Sequence, residues 1–268
     1  MQFPTTSFFN FTKLVGLALG LATAGQGEAG TIISFTFTDD ATSQISSSKT
    51  YVTKVDPGLS ASATTVNGVA FVRGTLSGDL RTYTATNLTY ALTTFATGPV
   101  LQNNSGTTVD LPLAGNATRT LLQDMLFISG TAGTAGKTAT MTLSGLTLGA
   151  SYSTRLYYRA WNASSVRNNT LVFDEDAAGP LGLSTGVIDE DLGGDNATAN
   201  VIGYNFTAQS DGLGGALPLV VTFTQQADNV SWHLYAVTNE LVVVPEPSAL
   251  TLLGLGAVGM VMGRRRRA

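Results

Sequence analysis

The sequence predicts an all-β protein, an antiparallel β-sandwich of the jelly-roll kind, with an N-terminal signal helix and a C-terminal single transmembrane helix. Three observations lead to this prediction. Apolar and polar residues alternate with a period of two between the two ends, clusters of Gly, Pro, Asn and Asp separate the alternating runs, and each end carries a short apolar stretch. Period-two alternation is typical of half-buried antiparallel strands.

The composition excludes several functional classes. Only 12% of the 268 residues are charged and the net charge is −4, which argues against nucleic-acid binding because phosphates need a basic face. The chain has no cysteine, so disulfides and thiolate metal sites are excluded. The single histidine, His233, excludes a zinc site built from several histidines.

Residues 1–29 are predicted to form a signal peptide. Lys13 precedes the apolar segment 14–21, whose length suits the core of a secretory signal. Ala22-Thr23-Ala24 then matches an A-x-A cleavage pattern, and Ala29 offers a later site. We therefore expect cleavage after Ala24 or after Ala29.

Residues 30–241 are predicted to form the exported β-sandwich domain. Apolar and threonine positions alternate in three clear runs, at 35–38, 138–143 and 219–224. Branched threonine and valine fit a pleated surface. The segment 119–127 is read either as one or two helical turns or as a short strand. A β-solenoid is the alternative architecture, but it requires a fixed repeat and the chain shows none.

Residues 242–268 form a distinct tail. Pro245-Glu246-Pro247 is followed by the apolar span 249–263 and then by Arg264, Arg265, Arg266 and Arg267. As a helix this span is about 22 Å long, against a hydrocarbon core of about 30 Å, so it crosses the membrane only marginally. The arginine cluster is predicted to stop transfer and to stay in the cytoplasm.

This tail resembles the PEP-CTERM sorting signal of Gram-negative bacteria. The resemblance implies that an exosortase, an integral-membrane protease, is the partner that recognises Pro245, Glu246 and Pro247. It also implies a precursor held in the inner membrane by the C-terminal span and then placed at the cell surface or in the extracellular matrix.

The second half of the domain carries a further resemblance. A strand, the turn Gly145-Leu146-Thr147-Leu148-Gly149 and a strand continuing to Trp161 are similar to a hairpin in carbohydrate-binding-module-like and fibronectin-like sandwiches. The resemblance covers residues 137–240 and concerns the fold more than an activity. The two glycines are expected to adopt the positive φ that such turns require.

Two groups of residues are candidate binding sites. Tyr157 and Trp161 share strand parity with Arg155 and Arg159, which predicts an outward aromatic platform for stacking on sugars. The alternative is that Trp161 caps the core at a strand end.

Asp189, Asp191 and Asp195 supply oxygen ligands suited to a structural Ca²⁺. The alternative is an acidic turn in solvent. The same carboxylates could be proposed as a glycosidase pair, which needs two carboxyl groups at a defined separation across a cleft.

His233 is predicted to be a hydrogen-bonded structural residue.

Three functional hypotheses follow. The first is a non-enzymatic exported surface or extracellular-matrix protein sorted through its PEP motif by an exosortase, without nucleic-acid partners. The second is a carbohydrate-binding-module-like protein that binds extracellular polysaccharide. The third, which we favour least, is a secreted glycoside hydrolase or lyase.

Overall fold

The structure is a computed structural model that describes residues 30–58, 64–94, 100–105, 115–129, 133–161, 166–176, 182–191 and 199–243. The predicted signal peptide, the PEP motif, the apolar span 249–263 and the arginine cluster lie outside the described residues. Within the described ranges, no helix combines the length and the apolar character needed to cross a bilayer.

The prediction of an all-β fold is confirmed, since the described residues form sixteen strands and one five-residue helix. In chain order these are β1 Thr31–Phe37, β2 Thr50–Val55, β3 Thr65–Val66, β4 Val69–Ala70, β5 Thr75–Leu76, β6 Thr82–Ala85, β7 Leu88–Leu92, β8 Val100–Ser105, α1 Ala117–Leu121, β9 Asp124–Ser129, β10 Thr138–Leu143, β11 Ser151–Tyr158, β12 Asn168–Asp174, β13 Leu183–Asp189, β14 Ala199–Thr207, β15 Leu219–Gln225 and β16 Ala236–Val242. The segment 119–127 thus contains both predicted alternatives, the end of a helix and the start of a strand.

Two antiparallel sheets contain most of the strands. A five-stranded sheet has the order β1-β14-β11-β16-β2, and a seven-stranded sheet has the order β13-β12-β15-β10-β7-β6-β5. Two separate two-stranded ribbons, β3-β4 and β8-β9, complete the described strands. Because β11 pairs with both β14 and β16, residues far apart in sequence meet at the centre of the five-stranded sheet.

The main core contains buried residues from both sheets. Along β10 the buried residues Ala139, Met141 and Leu143 alternate with half-buried threonines, as the period-two pattern predicts. The ring of Phe173 on β12 stacks on that of Tyr204 on β14, with centroids 5.0 Å apart. Since β12 belongs to the larger sheet and β14 to the smaller, the two sheets share this core.

A second apolar cluster covers one half of the opposite face of the five-stranded sheet. Phe37 and Tyr157 point into it from β1 and β11, and the β3-β4 ribbon, α1 and β9 supply its cover. Asp40 holds α1 in place, because its carboxylate accepts hydrogen bonds from the backbone N–H groups of Ala117 and Thr118 at 2.9 and 2.8 Å. Among the described residues, none of this cluster covers the other half of the face.

The turn between β10 and β11 has the geometry that its sequence predicts. Gly145 and Gly149 have φ angles of +72° and +74°, in the left-handed region that residues with a Cβ rarely adopt. A Cβ at Gly145 would lie 2.8 Å from the side-chain Cγ of Asn87, whereas one at Gly149 would meet nothing within 4 Å.

Candidate functional site

The sequence predicts that the Tyr157 ring faces outward, and this prediction is wrong. Tyr157 is only 1% exposed, and its ring packs edge-on against Phe37 with centroids 5.9 Å apart. Parity with Arg155 and Arg159 suggested an outward face, yet these arginines are 7% and 0% exposed. A buried Tyr157 ring offers no free face to a sugar.

The two arginines are buried because each has partners inside the fold. Arg155 pairs with Glu240. The Nε of Arg159 donates to the carbonyl oxygen of Leu122 at 2.8 Å, and its Nη1 donates to the carbonyl of Ala160 at 3.0 Å. The guanidinium of Arg159 also lies over the ring of Tyr235, 5.2 Å from its centroid. Such partners compensate for the loss of water around a buried cation.

Trp161 is partly buried at the end of this region. Its backbone N–H donates to Asp191 Oδ1 at 2.7 Å. Its ring lies edge-on to His233 with centroids 5.5 Å apart, and the Arg159 guanidinium lies 5.5 Å from its centroid. These contacts fit the alternative in which Trp161 packs at the edge of the core, and sugar binding by this residue stays a prediction.

In the structure, two of the carboxylates predicted to bind calcium, those of Asp189 and Asp191, accept hydrogen bonds from backbone N–H groups. Asp189 Oδ1 accepts hydrogen bonds from the N–H groups of Arg167 and Asp191, at 2.7 and 3.0 Å. Asp195 lies outside the described residues. Within the described ranges, no group of three or more Asp, Glu or His side chains is arranged to hold a metal ion, and calcium binding stays a prediction.

Glu190, between the two aspartates, is fully buried. Both of its oxygens accept the backbone N–H of His233, at 3.0 and 2.9 Å. Burial raises the pKa of Glu190 well above its usual range, and the positive charge of Arg167 opposes this rise. Glu190, which directly follows β13, therefore links this strand by hydrogen bonds to the segment before β16.

His233 has the environment of the structural histidine that the sequence predicts. It is 3% exposed, and its Nδ1 lies 3.4 Å from the hydroxyl of Tyr235. Burial lowers the pKa of His233 well below 6.5, and the charges of Arg167 and Arg159 lower it further. The ring is therefore neutral at physiological pH.

A groove that the sequence did not predict lies on the half of the five-stranded sheet face without apolar cover. Its cavity volume is about 450 Å³. The lining residues come from β1, β11, β14 and β16: Thr31, Ser151, Tyr152, Ser153, Arg155, Asn205, Phe206, Thr207, Glu240 and Val242. We call this surface the polar groove.

An ion pair and a hydroxyl–amide pair fix the side chains of the polar groove. Arg155 Nη1 lies 2.6 Å from Glu240 Oε2, and Lys49 Nζ lies 2.9 Å from the same oxygen. Ser153 Oγ donates to Asn205 Oδ1 at 2.6 Å. The groove thus presents hydroxyl, amide and charged groups in fixed positions, the kind of polar set that orients a hydrophilic ligand.

The ends of the described chain also meet at the polar groove. Thr31 begins β1, Val242 ends β16, and both line the groove. Pro245 follows Val242 by three positions, a distance of about 10 Å at most for extended chain.

A buried pair of carboxylates sharing one arginine is a second notable cluster. Arg73 Nη2 lies 2.9 Å from Asp56 Oδ2 and 3.3 Å from Asp124 Oδ2, while Nε and Nη1 of Arg73 are buried without a hydrogen-bond partner among the described residues. Asp56 Oδ2 also accepts from the Thr64 hydroxyl at 2.8 Å. Burial raises the pKa of Asp56 to about 6 although Thr64 and Arg73 lower it.

These observations define the described part of the chain as an all-β domain of antiparallel sheets, with a polar groove beside the point where the chain leaves its last strand. Residues 243–267, directly after that strand, match the family model described as the PEP-CTERM protein-sorting motif. This match implies export and sorting to the cell surface, with processing by an exosortase. No curated protein and no solved structure matches the chain significantly.

Proposed function

We propose that this is a non-enzymatic exported protein, sorted through Pro245-Glu246-Pro247 by an exosortase and placed at the cell surface or in the extracellular matrix. The observation that carries the proposal is the match of residues 243–267 to the PEP-CTERM motif. The acidic composition of the domain agrees with it, since residues 30–244 hold 9 Lys and Arg against 16 Asp and Glu, a net charge of −7.

The end of the folded domain supports this role. β16 ends at Val242, so only Val243 and Val244 separate the last strand from Pro245. Prolines lack the N–H that a strand ladder uses, so Pro245 and Pro247 favour an end to the ladder before the motif. The motif would thus reach a membrane protease while the domain stays outside the bilayer.

We assign the domain to the β-sandwich class, of jelly-roll type. The support is the core shared by the two antiparallel sheets, seen in the stacked rings of Phe173 and Tyr204. A sandwich of this kind holds together without disulfides, which agrees with the absence of cysteine.

Intact-mass analysis of the exported protein tests the sorting role. The full chain is expressed in a Gram-negative host with and without an exosortase, beside a variant in which Pro245, Glu246 and Pro247 are all alanine. We expect loss of the C-terminal tail only in the host with the protease and only with the motif intact. Thr251→Ala, which lies in the apolar span and leaves Pro245-Glu246-Pro247 intact, is the control that should still be processed. An unprocessed chain ending at Ala268 in the presence of the protease would refute the proposal.

Polysaccharide binding is the second candidate, and the polar groove favours it. Sugar hydroxyls act as both donors and acceptors, and the groove offers Ser151, Asn205 and Thr207 with charged partners beside them. Rings contribute little here, because Tyr152 and Phe206 are buried at 1% and 5% exposure. Binding in the groove would therefore depend on hydrogen bonds more than on stacking.

A glycan array with the purified protein tests this candidate. Asn205→Ala in the groove and Trp161→Ala at the core edge separate the two possible locations, and Thr222→Ala on β15, in the other sheet, is the control. Loss of retention with Asn205→Ala alone would locate binding in the groove. No retention on any glycan would refute polysaccharide binding, and turnover of a retained glycan would replace the non-enzymatic proposal with an enzymatic one.

A further inference from the structure

The charged and amide side chains at the polar groove have hydrogen-bond donors left for a ligand. Glu240 Oε2 already accepts from Arg155 Nη1 at 2.6 Å and from Lys49 Nζ at 2.9 Å. Asn205 Oδ1 accepts from the Ser153 hydroxyl at 2.6 Å, so the Nδ2 group is the part of this exposed amide that offers donors. A ligand rich in acceptors therefore fits these side chains better than one rich in donors.

Arg155 is a buried cation that lines the groove and has an unpartnered donor. The residue is 7% exposed, and its Nε is buried without a hydrogen-bond partner among the described residues. The residue opposite Arg155 on β14 is Gly203, so no β14 side chain covers the guanidinium from that side. An anion that reached this guanidinium would form charge-assisted hydrogen bonds, which are stronger than those between neutral groups.

The charges in contact at the groove also favour an anion. Arg155 and Lys49 carry two positive charges against the single negative charge of Glu240, which leaves a net charge of +1 at this contact. Residues 30–244 as a whole carry 9 basic against 16 acidic residues, but charges farther away than about 8 Å are largely screened at physiological ionic strength. The three charges in contact therefore dominate inside the groove.

Hydroxyl and amide groups lie beside these charges, in register across the sheet. Ser153 on β11 pairs with Asn205 on β14 and with Glu240 on β16. Neighbouring strands are about 4.8 Å apart, so Asn205 and Glu240 are separated by about 10 Å across the floor of the groove. Ser151 and Thr207, which pair with each other, add hydroxyls in the next row. This width suits two consecutive sugar residues better than one.

We propose that the polar groove binds an acidic polysaccharide, with the anionic group of one sugar residue beside Arg155 and Lys49 and the hydroxyls of its neighbour at Asn205. This inference rests on the proposed polysaccharide binding and narrows the ligand to chains that carry carboxylate or sulfate groups. A neutral chain can hydrogen-bond to Asn205, but it brings no anion to the two cations.

Retention on matched acidic and neutral polysaccharides tests the proposal. The purified full chain, kept in non-ionic detergent, is applied to immobilised alginate, polygalacturonate and dextran sulfate. The neutral counterparts are alginate and polygalacturonate with their carboxyl groups reduced to alcohols, and unsulfated dextran. We expect stronger retention on at least one acidic polysaccharide than on its counterpart, and we expect this difference to shrink as salt rises. The carboxylate and sulfate arms show which anion the groove takes.

Two results in this assay overturn the proposal. Equal or stronger retention on the neutral counterparts refutes an acidic ligand and leaves polysaccharide binding standing. No retention on any of these materials refutes the proposal as well. Sorting through the C-terminal motif is independent of both results.

Two lysine variants locate the binding. Lys49→Gln removes one of the two cations and should weaken retention on the acidic polysaccharide about tenfold. Lys137→Gln, just before β10 in the other sheet, removes the same charge and should leave retention unchanged. Both variants keep the arginine cluster at 264–267, so a difference between them does not come from the tail. Equal retention of the two variants overturns binding in the groove.

Glu240→Gln should act in the opposite direction. This variant loses the carboxylate that competes with the ligand and keeps both cations, so retention on the acidic polysaccharide should rise at least about threefold. Weaker retention of a folded Glu240→Gln variant contradicts the proposal, because a purely structural role of Glu240 predicts that fall. If Glu240→Gln fails to fold, the comparison of Lys49→Gln with Lys137→Gln decides.

Discussion

Replacing Asp56 with asparagine should change how the stability of the domain depends on pH. Asp56 is fully buried, and its pKa is raised from 3.8 to about 6 chiefly by burial. In the folded protein this group keeps its proton at pH values where the unfolded chain has already lost it. Its contribution to the free energy of unfolding is therefore fully present below pH 3.8 and falls as the pH rises through about 6.

The magnitude follows from the size of the pKa difference. Each pKa unit corresponds to about 1.4 kcal/mol, so a rise of about two units removes about 3 kcal/mol between acidic and neutral pH. Asparagine has a similar shape but no proton to lose. The destabilisation caused by Asp56→Asn should accordingly be smaller at pH 7 than at pH 3.5, by about 2–3 kcal/mol.

Urea unfolding at several pH values, followed by circular dichroism, measures this difference. Comparison with the wild-type protein at each pH cancels contributions from groups that the substitution leaves unchanged, such as His233. Asp79→Asn is the control with the opposite sign, because a hydrogen bond from the Ser77 hydroxyl lowers the pKa of Asp79. Its cost should grow as the pH rises.

One result would refute the reasoning. If Asp56→Asn cost the same at every pH, or more at neutral pH, then Arg73 would stabilise the Asp56 carboxylate more than burial destabilises it. The unpartnered Nε and Nη1 of Arg73 argue for the opposite balance.

Two further predictions concern the polar groove and the turn before it. Glu240→Gln leaves the largely buried guanidinium of Arg155 without its carboxylate. We therefore expect the free energy of unfolding to fall by about 3 kcal/mol. A change below about 0.5 kcal/mol in urea unfolding would show that the ion pair contributes nothing. Gly149→Ala should cost about 1–2 kcal/mol through backbone strain alone, and Gly145→Ala should cost more because its Cβ would also press on Asn87. Equal costs for the two glycine variants would contradict this ranking.

The sequence predicted the strands well because a strand's burial pattern is local. Ala139, Met141 and Leu143 are buried while Thr138, Thr140 and Thr142 are not fully so, as alternation along one strand requires. The turn glycines Gly145 and Gly149 were likewise predictable, since a tight turn requires positive φ within a few residues.

The same local argument failed at Tyr157, Arg155 and Arg159. Alternation assigns residues to two faces, but it does not tell which face a second layer covers. The cluster around Phe37 buries Tyr157 on the face that the arginines suggested was outward. The charges of Arg155 and Arg159 did not indicate exposure to solvent, because each guanidinium has acceptors inside the fold.

By itself the sequence determined the all-β class, the period-two core pattern and the sorting motif at 243–267, because each of these depends on residues that are close together in the sequence. Only the tertiary structure brought Lys49 to Glu240 across 191 positions. It also decided which half of a sheet face became the polar groove. Strand pairing sets these contacts, and pairing depends on how distant segments bury their apolar faces together rather than on the order of residues within any one of them.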